Sequence, residues 1–417
     1  MGKYLKRFTD LTLQNRLRLS GAVLIQGAKG CGKTETAVQI AESTAHLDTD
    51  YEIHRRMEID PKSVLEGQTP RLLDEWQEYP RIWNYVRREV DTRKKKGQFI
   101  LTGSATPEEK ARIHSGAGRF SVIKMRPMSL FEKGWSSGEV SLSRIVKGNS
   151  PKSAPADFSL ESFAEKMTLG GWPGLIGAGG RAALRFVQDY IALVAESDIS
   201  RFGGKKRDPH KVMRLLQSLA RNISTEATLA SLAKDTGGTG ASVSDETIAE
   251  YLEALERLMV IEPLPAWSPH IRSADTLRKA PKHHFIDPSL AIGTLGLSAG
   301  KLMADLKYFG FLFESLVVRD LRIYAEAHDA KVYHYRDSRN MEVDAIVEYP
   351  DGTWAAFEVK MGFNSQDEAA DNLLAFAGKI DREKMGSPAA LTVITANGFA
   401  CRRKDGVNVV PVSVLTA

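Results

Sequence analysis

A chain of 417 residues and 46.0 kDa exceeds the size at which one hydrophobic core keeps growing, so roughly two to four domains are expected. With 42% hydrophobic and 26% charged residues the composition is that of an ordinary soluble protein, and a net charge of +5 permits nucleic-acid contact without demanding it. The two cysteines, Cys31 and Cys401, exclude a disulfide framework and a cysteine-based metal motif; a cytoplasmic location is expected, and no run reaches the roughly 18 apolar residues of a membrane span.

Taken in chain order, Ala22 to Gln26 reads as a short buried strand, and Thr34 to Ser43 as a helix with Ala37, Val38, Ile40 and Ala41 at helical spacing. Between them lies Gly27-Ala28-Lys29-Gly30-Cys31-Gly32-Lys33-Thr34, with the spacing of a phosphate-binding loop. Gly27, Gly30 and Gly32 let backbone N–H groups turn toward phosphates, Lys33 has the reach for the β and γ phosphates, and Thr34 has a hydroxyl for magnesium. A plain glycine-rich turn is the alternative, but the flanking strand and helix place the run where a nucleotide loop works. No Asn-Lys-x-Asp pattern for guanine occurs, so ATP is the expected nucleotide.

A hydrolase also needs a carboxylate for the metal and a group that orients water. Asp74 and Glu75, at the end of Leu72-Leu73, are the candidates for these roles, although two leucines are a short strand and the pair also suits a solvated helix start. Phe99 to Thr102 is a clearer strand. In an open parallel sheet its C-terminal end faces the ligand crevice, so Thr102 or Ser104 is placed to sense the γ phosphate; Ser104 would equally cap a helix beginning near Pro107. Arg119, on the loop before the strand-like run Phe120 to Met125, is a candidate arginine finger, in cis or from a second copy in a homo-oligomer, or else a surface residue in a turn.

These segments, with His114-Ser115-Gly116-Ala117-Gly118-Arg119 and Met125-Arg126-Pro127-Met128-Ser129-Leu130, resemble a prokaryotic AAA-superfamily ATP-binding family whose members carry a C-terminal domain of unknown function. Gly170-Gly171-Trp172-Pro173-Gly174 and Phe285-Ile286-Asp287-Pro288-Ser289-Leu290-Ala291 look like further markers of it, so the resemblance covers nearly the whole chain. It implies ATP binding and, less directly, hydrolysis.

Gly148 to Ala156 and Gly203 to Pro209 read as breaks, with a helix from Arg181 to Glu196 between them. Three helical patterns follow, His210 to Arg221, Leu229 to Asp235 and Asp245 to Leu258, then a short strand from Val260 to Leu264, the order of a winged helix. The third helix carries Asp245, Glu246, Glu250, Glu253 and Glu256 against Arg257, so phosphates would repel it and a structural or protein-contacting role is preferred.

Toward the C-terminus, Met341 to Tyr349 and Thr353 to Met361 form two strands around Pro350-Asp351-Gly352. A three-residue loop pairs Ala345 with Phe357 and Val347 with Ala355, puts Val343 opposite Val359 on the same apolar face, and sets Asp344 against Glu358 on the other. Two facing carboxylates repel unless a cation separates them, which makes Asp344 and Glu358 candidate ligands of a second magnesium ion, with Lys360 beside them to orient water. A solvent-facing hairpin with Glu342 paired to Lys360 is the bland alternative. Glu314, on an apolar helix face from Phe311 to Val318, adds a carboxylate that needs a partner. Glu314, Asp344 and Glu358-x-Lys360 resemble the core of the PD-(D/E)XK nucleases, and the helix Gln366 to Ile380 and strand Leu391 to Thr395 continue its order.

The expected architecture is α/β and multidomain: an AAA-type P-loop ATPase domain over 1–147, a linker and helical segment over 148–208, a winged-helix-like domain over 209–275 and a PD-(D/E)XK nuclease-like domain over 276–417. The leading expectation is an ATPase whose nucleotide state controls a nuclease-like domain acting on DNA or RNA. The alternative is a nucleotide-switched protein-interaction or DNA-binding module whose C-terminal domain does not cut.

Overall fold

The computed structural model describes residues 4–104, 115–155, 158–199, 207–238, 243–268, 280–362 and 365–417. The first helix, α1 (Phe8–Leu19), buries Leu13 and Leu17 and leads into a five-stranded, all-parallel sheet. Its strands are β1 (Ala22–Gly27), β2 (Ser43–His46), β3 (Arg71–Asp74), β4 (Phe99–Gly103) and β5 (Phe120–Met125), in the order β2-β3-β4-β1-β5. Helices α2 (Lys33–Val38), α3 (Tyr51–Ile59) and α4 (Ile82–Arg93) connect them. Because every strand runs the same way, the carboxyl ends of β1, β3 and β4 open on one edge, and Gly27, Asp74 and Ser104 meet there. The helix expected from Thr34 to Ser43 is shorter: it stops at Val38, and Ser43 already belongs to β2.

A short strand β6 (Val140–Ser141) and helix α5 (Leu142–Val146) precede the middle of the chain, which is helical: α6 (Leu160–Leu169), α7 (Gly180–Leu193), α8 (Pro209–Arg221), α9 (Leu229–Gly237), α10 (Asp245–Arg257), α11 (Pro288–Thr294) and α12 (Ala299–Ala304). Helices α8 to α10 match the three expected periodic stretches. After them, isolated antiparallel bridges join Ile261 to Phe285 and Leu264 to Lys282, a slighter pairing than the expected strand. The expected break at 148–155 lies against the C-terminal domain, where Ala400 N–H donates to Ser153 Oγ at 2.9 Å. Of the second break, 203–206 falls outside the described residues, as do residues 105–114, where a helix was expected to begin near Pro107.

The long helix α13 (Leu306–Glu326) starts the C-terminal domain, a six-stranded mixed sheet built from β7 (Lys331–Arg336), β8 (Glu342–Glu348), β9 (Trp354–Lys360), β10 (Ala390–Thr395), β11 (Cys401–Arg402) and β12 (Asn408–Pro411). The helices α14 (Gln366–Lys379) and α15 (Arg382–Met385) join β9 to β10, and α14 covers the sheet face opposite α13. A final strand, β13 (Leu415–Thr416), pairs in parallel with β6 and so returns to the segment that follows the first sheet. One continuous hydrophobic cluster runs from Leu13 through α6, α8 and α13 to Leu415. Among the described residues, no helix is long and apolar enough to cross a membrane.

Buried charge fixes how these parts meet. Arg319 of α13 donates to Asp287 Oδ2 at 2.6 Å and to Asp320 Oδ1 at 2.6 Å, and all three side chains are at most 3% exposed. Asp287 also accepts from Gly171 N–H at 2.9 Å, while Trp172 Nε1 donates to Ser289 Oγ at 2.9 Å, so the Gly-Gly-Trp-Pro-Gly and Ile-Asp-Pro-Ser segments are partners in space. Gly170 has φ 61°, and a Cβ there would lie 2.4 Å from Ser289 Oγ, so the contact requires glycine. Asp320 Oδ2 accepts from Leu130 N–H at 2.9 Å, and Arg126 binds Glu262 at 2.7 Å and Glu326 at 2.6 Å.

Replacing Arg319 by Leu strands two buried carboxylates and is expected to cost about 3–5 kcal/mol in urea unfolding. The exposed pair Arg185–Asp189, 3.1 Å apart, serves as a control, with Arg185→Ala expected to cost under about 1 kcal/mol. Equal losses in the two variants would contradict the assignment of the buried cluster as the fixed point of the assembly.

Candidate functional site

The nucleotide loop joins the end of β1 to α2. Gly32 has φ 100°, which only glycine adopts without strain, and a Cβ added at Gly30 would meet nothing within 4 Å, so the loop is open toward solvent there. Lys33 is buried and its ammonium donates to the carbonyls of Gly27 and Ala28, each at 3.0 Å. Thr34 Oγ1 donates to Asp74 Oδ1 at 2.9 Å, and Thr102 Oγ1 donates to the same oxygen. His46 Nδ1 lies 3.2 Å from Asp74 Oδ2. Strands β1, β3 and β4 thus gather Lys33, Thr34, Asp74 and Thr102, although they come from three separate stretches of sequence.

Glu75 follows Asp74 with φ 51°, a left-handed conformation uncommon for a residue with a side chain. Gln77 Nε2 donates to its carboxylate, and burial raises its pKa above the ordinary 4.5. Ser104 is buried at the end of β4. Arg119 is not brought to the loop. Ala22 N–H donates to the Arg119 carbonyl at 3.1 Å, which puts Arg119 at the amino end of the parallel strands while Gly27 lies at the carboxyl end. Its guanidinium pairs instead with Asp91 at 2.9 Å, so the cis arginine finger is corrected by strand direction. Arg7, which sequence reasoning missed, does touch the loop: it donates to the carbonyls of Cys31 at 2.9 Å and Arg126 at 2.8 Å and lies 3.2 Å from Glu132.

The residues present fit a nucleotide with magnesium. A threonine hydroxyl and a carboxylate are the oxygen ligands this cation prefers, and here they adjoin an open glycine loop and a buried lysine.

In the C-terminal domain the hairpin has the expected register from Ala345–Phe357 to Glu348–Trp354. The ladder then ends, and Val359 N–H donates at 2.8 Å to Asp344 Oδ2, so Asp344 and Glu358 are not a facing pair within the ladder. A shift in the pairing of β7 with β8 also moves Val343 into the cluster under α14, whereas Ala345 and Val347 pack toward α13; the single apolar face expected for all three is corrected accordingly. Lys360 Nζ lies 3.0 Å from Glu358 Oε2, and Asn372 donates to Glu358 Oε1 at 2.9 Å.

The partner of Glu314 is Lys282. Its ammonium lies 2.8 Å from Glu314 Oε1, 2.6 Å from Glu342 Oε1 and 3.6 Å from Asp344 Oδ1. Glu342 is therefore bound to Lys282 and not to Lys360. No local pattern announces Lys282, since 32 and 60 residues separate it from Glu314 and Glu342. Burial pushes Glu314 up to about 8, and burial with the nearby charge of Asp344 pushes Glu358 up to about 8. Burial disfavours the Lys282 charge, but Glu314, Asp344 and Glu342 together hold its pKa above the usual range. Lys282, Glu314, Glu342 and Asp344 line a cleft of about 650 Å³ that also presents Lys307, Arg336 and Lys360. Among the described residues, no cluster of three or more His, Cys, Asp or Glu side chains is arranged to hold a metal ion. The donors around Asp344 and Glu358 do not fit a second magnesium ion.

Residues 20–133 match the family described as an AAA domain. They are an AAA-type ATP-binding domain. Residues 160–301 match a domain of unknown function, DUF8612, and 309–415 match another, DUF4143. Two curated relatives, uncharacterized proteins of Mycobacterium bovis and Mycobacterium tuberculosis, are each 23% identical over 361 residues, spanning 85% of this chain and 74% of their own. Among solved structures, a Walker-type ATPase of Pyrococcus abyssi superimposes with a TM-score of 0.44 at 12% identity, over 70% of this chain and 96% of its own.

The raised carboxyls set a pH dependence. Groups that ionise near 4.5 when unfolded and near 8 when folded contribute stability that is complete below pH 4.5 and lost as pH rises through about 8. Between about pH 5 and 8 the melting temperature of Glu358→Gln should fall less steeply than that of the parent chain; parallel curves would refute the assignment.

Proposed function

We propose that this chain is an ATP-hydrolysing switch whose nucleotide state governs the C-terminal cleft, and that the cleft takes nucleic acid, DNA or RNA. The observation that carries the proposal is the course of α13. Its first half brings Glu314 to the cleft, and its second half fixes Arg319, Asp320 and Glu326 against Asp287, Leu130 and Arg126. Arg7 links the same segment to the loop by donating to both Cys31 and Arg126. A shift of the loop on nucleotide exchange would reach the cleft through packed side chains that are already in contact.

In this reading Thr34 and Asp74 hold magnesium, which neutralises charge on the β and γ phosphates when bound. Lys33 turns from the Gly27 and Ala28 carbonyls to the phosphates. Glu75 accepts a proton from water, with Gln77 fixing its carboxylate, and Ser104 or Thr102 senses the γ phosphate. Arg119, partly exposed at the far edge of the sheet, would serve a nucleotide only in a second copy of the chain. At the cleft, Lys307, Arg336 and Lys360 supply cations for a phosphate backbone. The PD-(D/E)XK-like order of Glu314, Asp344, Glu358 and Lys360 favours nucleic acid as the ligand class, while the Lys282 contacts favour binding over cutting.

Lys33→Ala should abolish binding of a fluorescent ATP analogue, while Glu75→Gln should retain binding and lower turnover by roughly 10²-fold or more. Asp320→Asn should keep ATP turnover but weaken the effect of ATP on binding of a labelled oligonucleotide. Undiminished turnover in Lys33→Ala, or oligonucleotide affinity indifferent to ATP in the parent chain, would sink the proposal.

A further inference from the structure

We infer that Lys282 is the resident cation of the C-terminal carboxylate cluster, occupying with its ammonium the place a divalent ion would need between Glu314 and Asp344. The inference rests on the nuclease-like reading of this domain and specifies how its site works: the cleft is charge-balanced by protein alone and holds its ligand without metal-assisted hydrolysis.

Three observations converge on it. The Lys282 side chain is only 3% exposed, and its ammonium is within 3.6 Å of three carboxylates. Its backbone is fixed on both sides, because Lys282 N–H donates to Leu264 O at 3.0 Å and Leu264 N–H donates to Lys282 O at 2.8 Å. The ammonium is therefore anchored inside the cluster and is not a surface arm that happens to fold inward. Finally, every oxygen of Asp344 and Glu358 faces a nitrogen of this chain. Val359 N–H and Lys282 serve Asp344; Asn372 and Lys360 serve Glu358.

A divalent ion needs several oxygens at about 2.0–2.6 Å in a converging shell. Here two ammonium groups stand among the same carboxylates, so an entering cation would meet like charge as well as occupied oxygens. Lys282 thus sets a cation of the chain itself among Glu314, Glu342 and Asp344, while Lys360 does the same at Glu358. One charge on a tethered side chain does the work locally, and it cannot be removed by chelation.

The test uses the full chain, free of nucleotide and carrying Asp74→Asn to suppress ion binding at the phosphate loop. Titration with Mn²⁺, followed by electron paramagnetic resonance, should show no site in the micromolar range. Adding Lys282→Met should create one site per chain, which a further Asp344→Asn should remove; Lys282→Arg should create none. A Mn²⁺ site in the Lys282-containing chain that disappears with Asp344→Asn would overturn the inference. So would a Lys282→Met protein that melts cooperatively yet gains no site. Should Lys282→Met fail to fold, the Lys282-containing chain and its Asp344→Asn derivative decide alone, absence of a site supporting the inference and an Asp344-dependent site refuting it. Oligonucleotide affinity, measured in parallel, separates the two readings: no metal and no affinity removes nucleic acid as the ligand but leaves Lys282 as the resident cation, whereas metal with cleavage retains the nuclease and removes the Lys282 inference.

Discussion

The arginine at position 319 must be charged, and it lies where water cannot solvate it. That constraint orders much of the molecule. A buried guanidinium is tolerable only with carboxylates in good geometry, and Asp287 and Asp320 provide them from different parts of the chain. Asp287 is then tied to the Gly171 amide, and Asp320 to the Leu130 amide beyond the first sheet. Apolar packing alone would allow α13 to slide or rotate over its neighbours at modest cost; directional charge contacts leave one seating. The single hydrophobic cluster that crosses all the expected domain boundaries is the packing counterpart of that seating.

The phosphate loop, the hairpin turn and helices α8 to α10 were legible because their signals are local. Spacing within eight residues defines the loop, and periodicity within about a dozen defines each helix. Asp74 was singled out although only two leucines precede it, because of the loop upstream, and the strand order does bring it to Thr34. Strand β2 was lost because Ser43 to His46 carries no apolar run, and its place beside β3 comes from the sheet. The phase of Val343 was lost for a related reason: the pairing shift between β7 and β8 is invisible to a strict alternation. Arg119 was left open between a finger in cis, a finger from a second copy and a surface residue, because a glycine-preceded arginine looks the same at either end of a strand; strand direction removes the first of these. Lys282 lay beyond reach, since its contacts depend on α13, the paired segments 264 and 282, and the end of β8 arriving together.

The two polar centres solve the same electrostatic difficulty in opposite ways. At the nucleotide loop, Asp74 is met by hydroxyls from Thr34 and Thr102 on one oxygen and by the His46 ring on the other, with no ammonium or guanidinium paired to it among the described residues. At the C-terminal cleft, ammonium groups compensate the carboxylates directly. An uncompensated carboxylate attracts an ion from solution; a compensated one shapes a surface. Fold resemblance alone would have assigned both centres a metal, and the difference lies in which neighbours each acid was given.

Lys33 bears on the thermodynamics of the loop. Its ammonium satisfies the Gly27 and Ala28 carbonyls, so the loop's inward-turned backbone is solvated by the chain's own side chain. On the proposed reading, nucleotide entry would be an exchange: two carbonyl contacts would be released as phosphate contacts form, and the affinity would reflect the difference between the two sets.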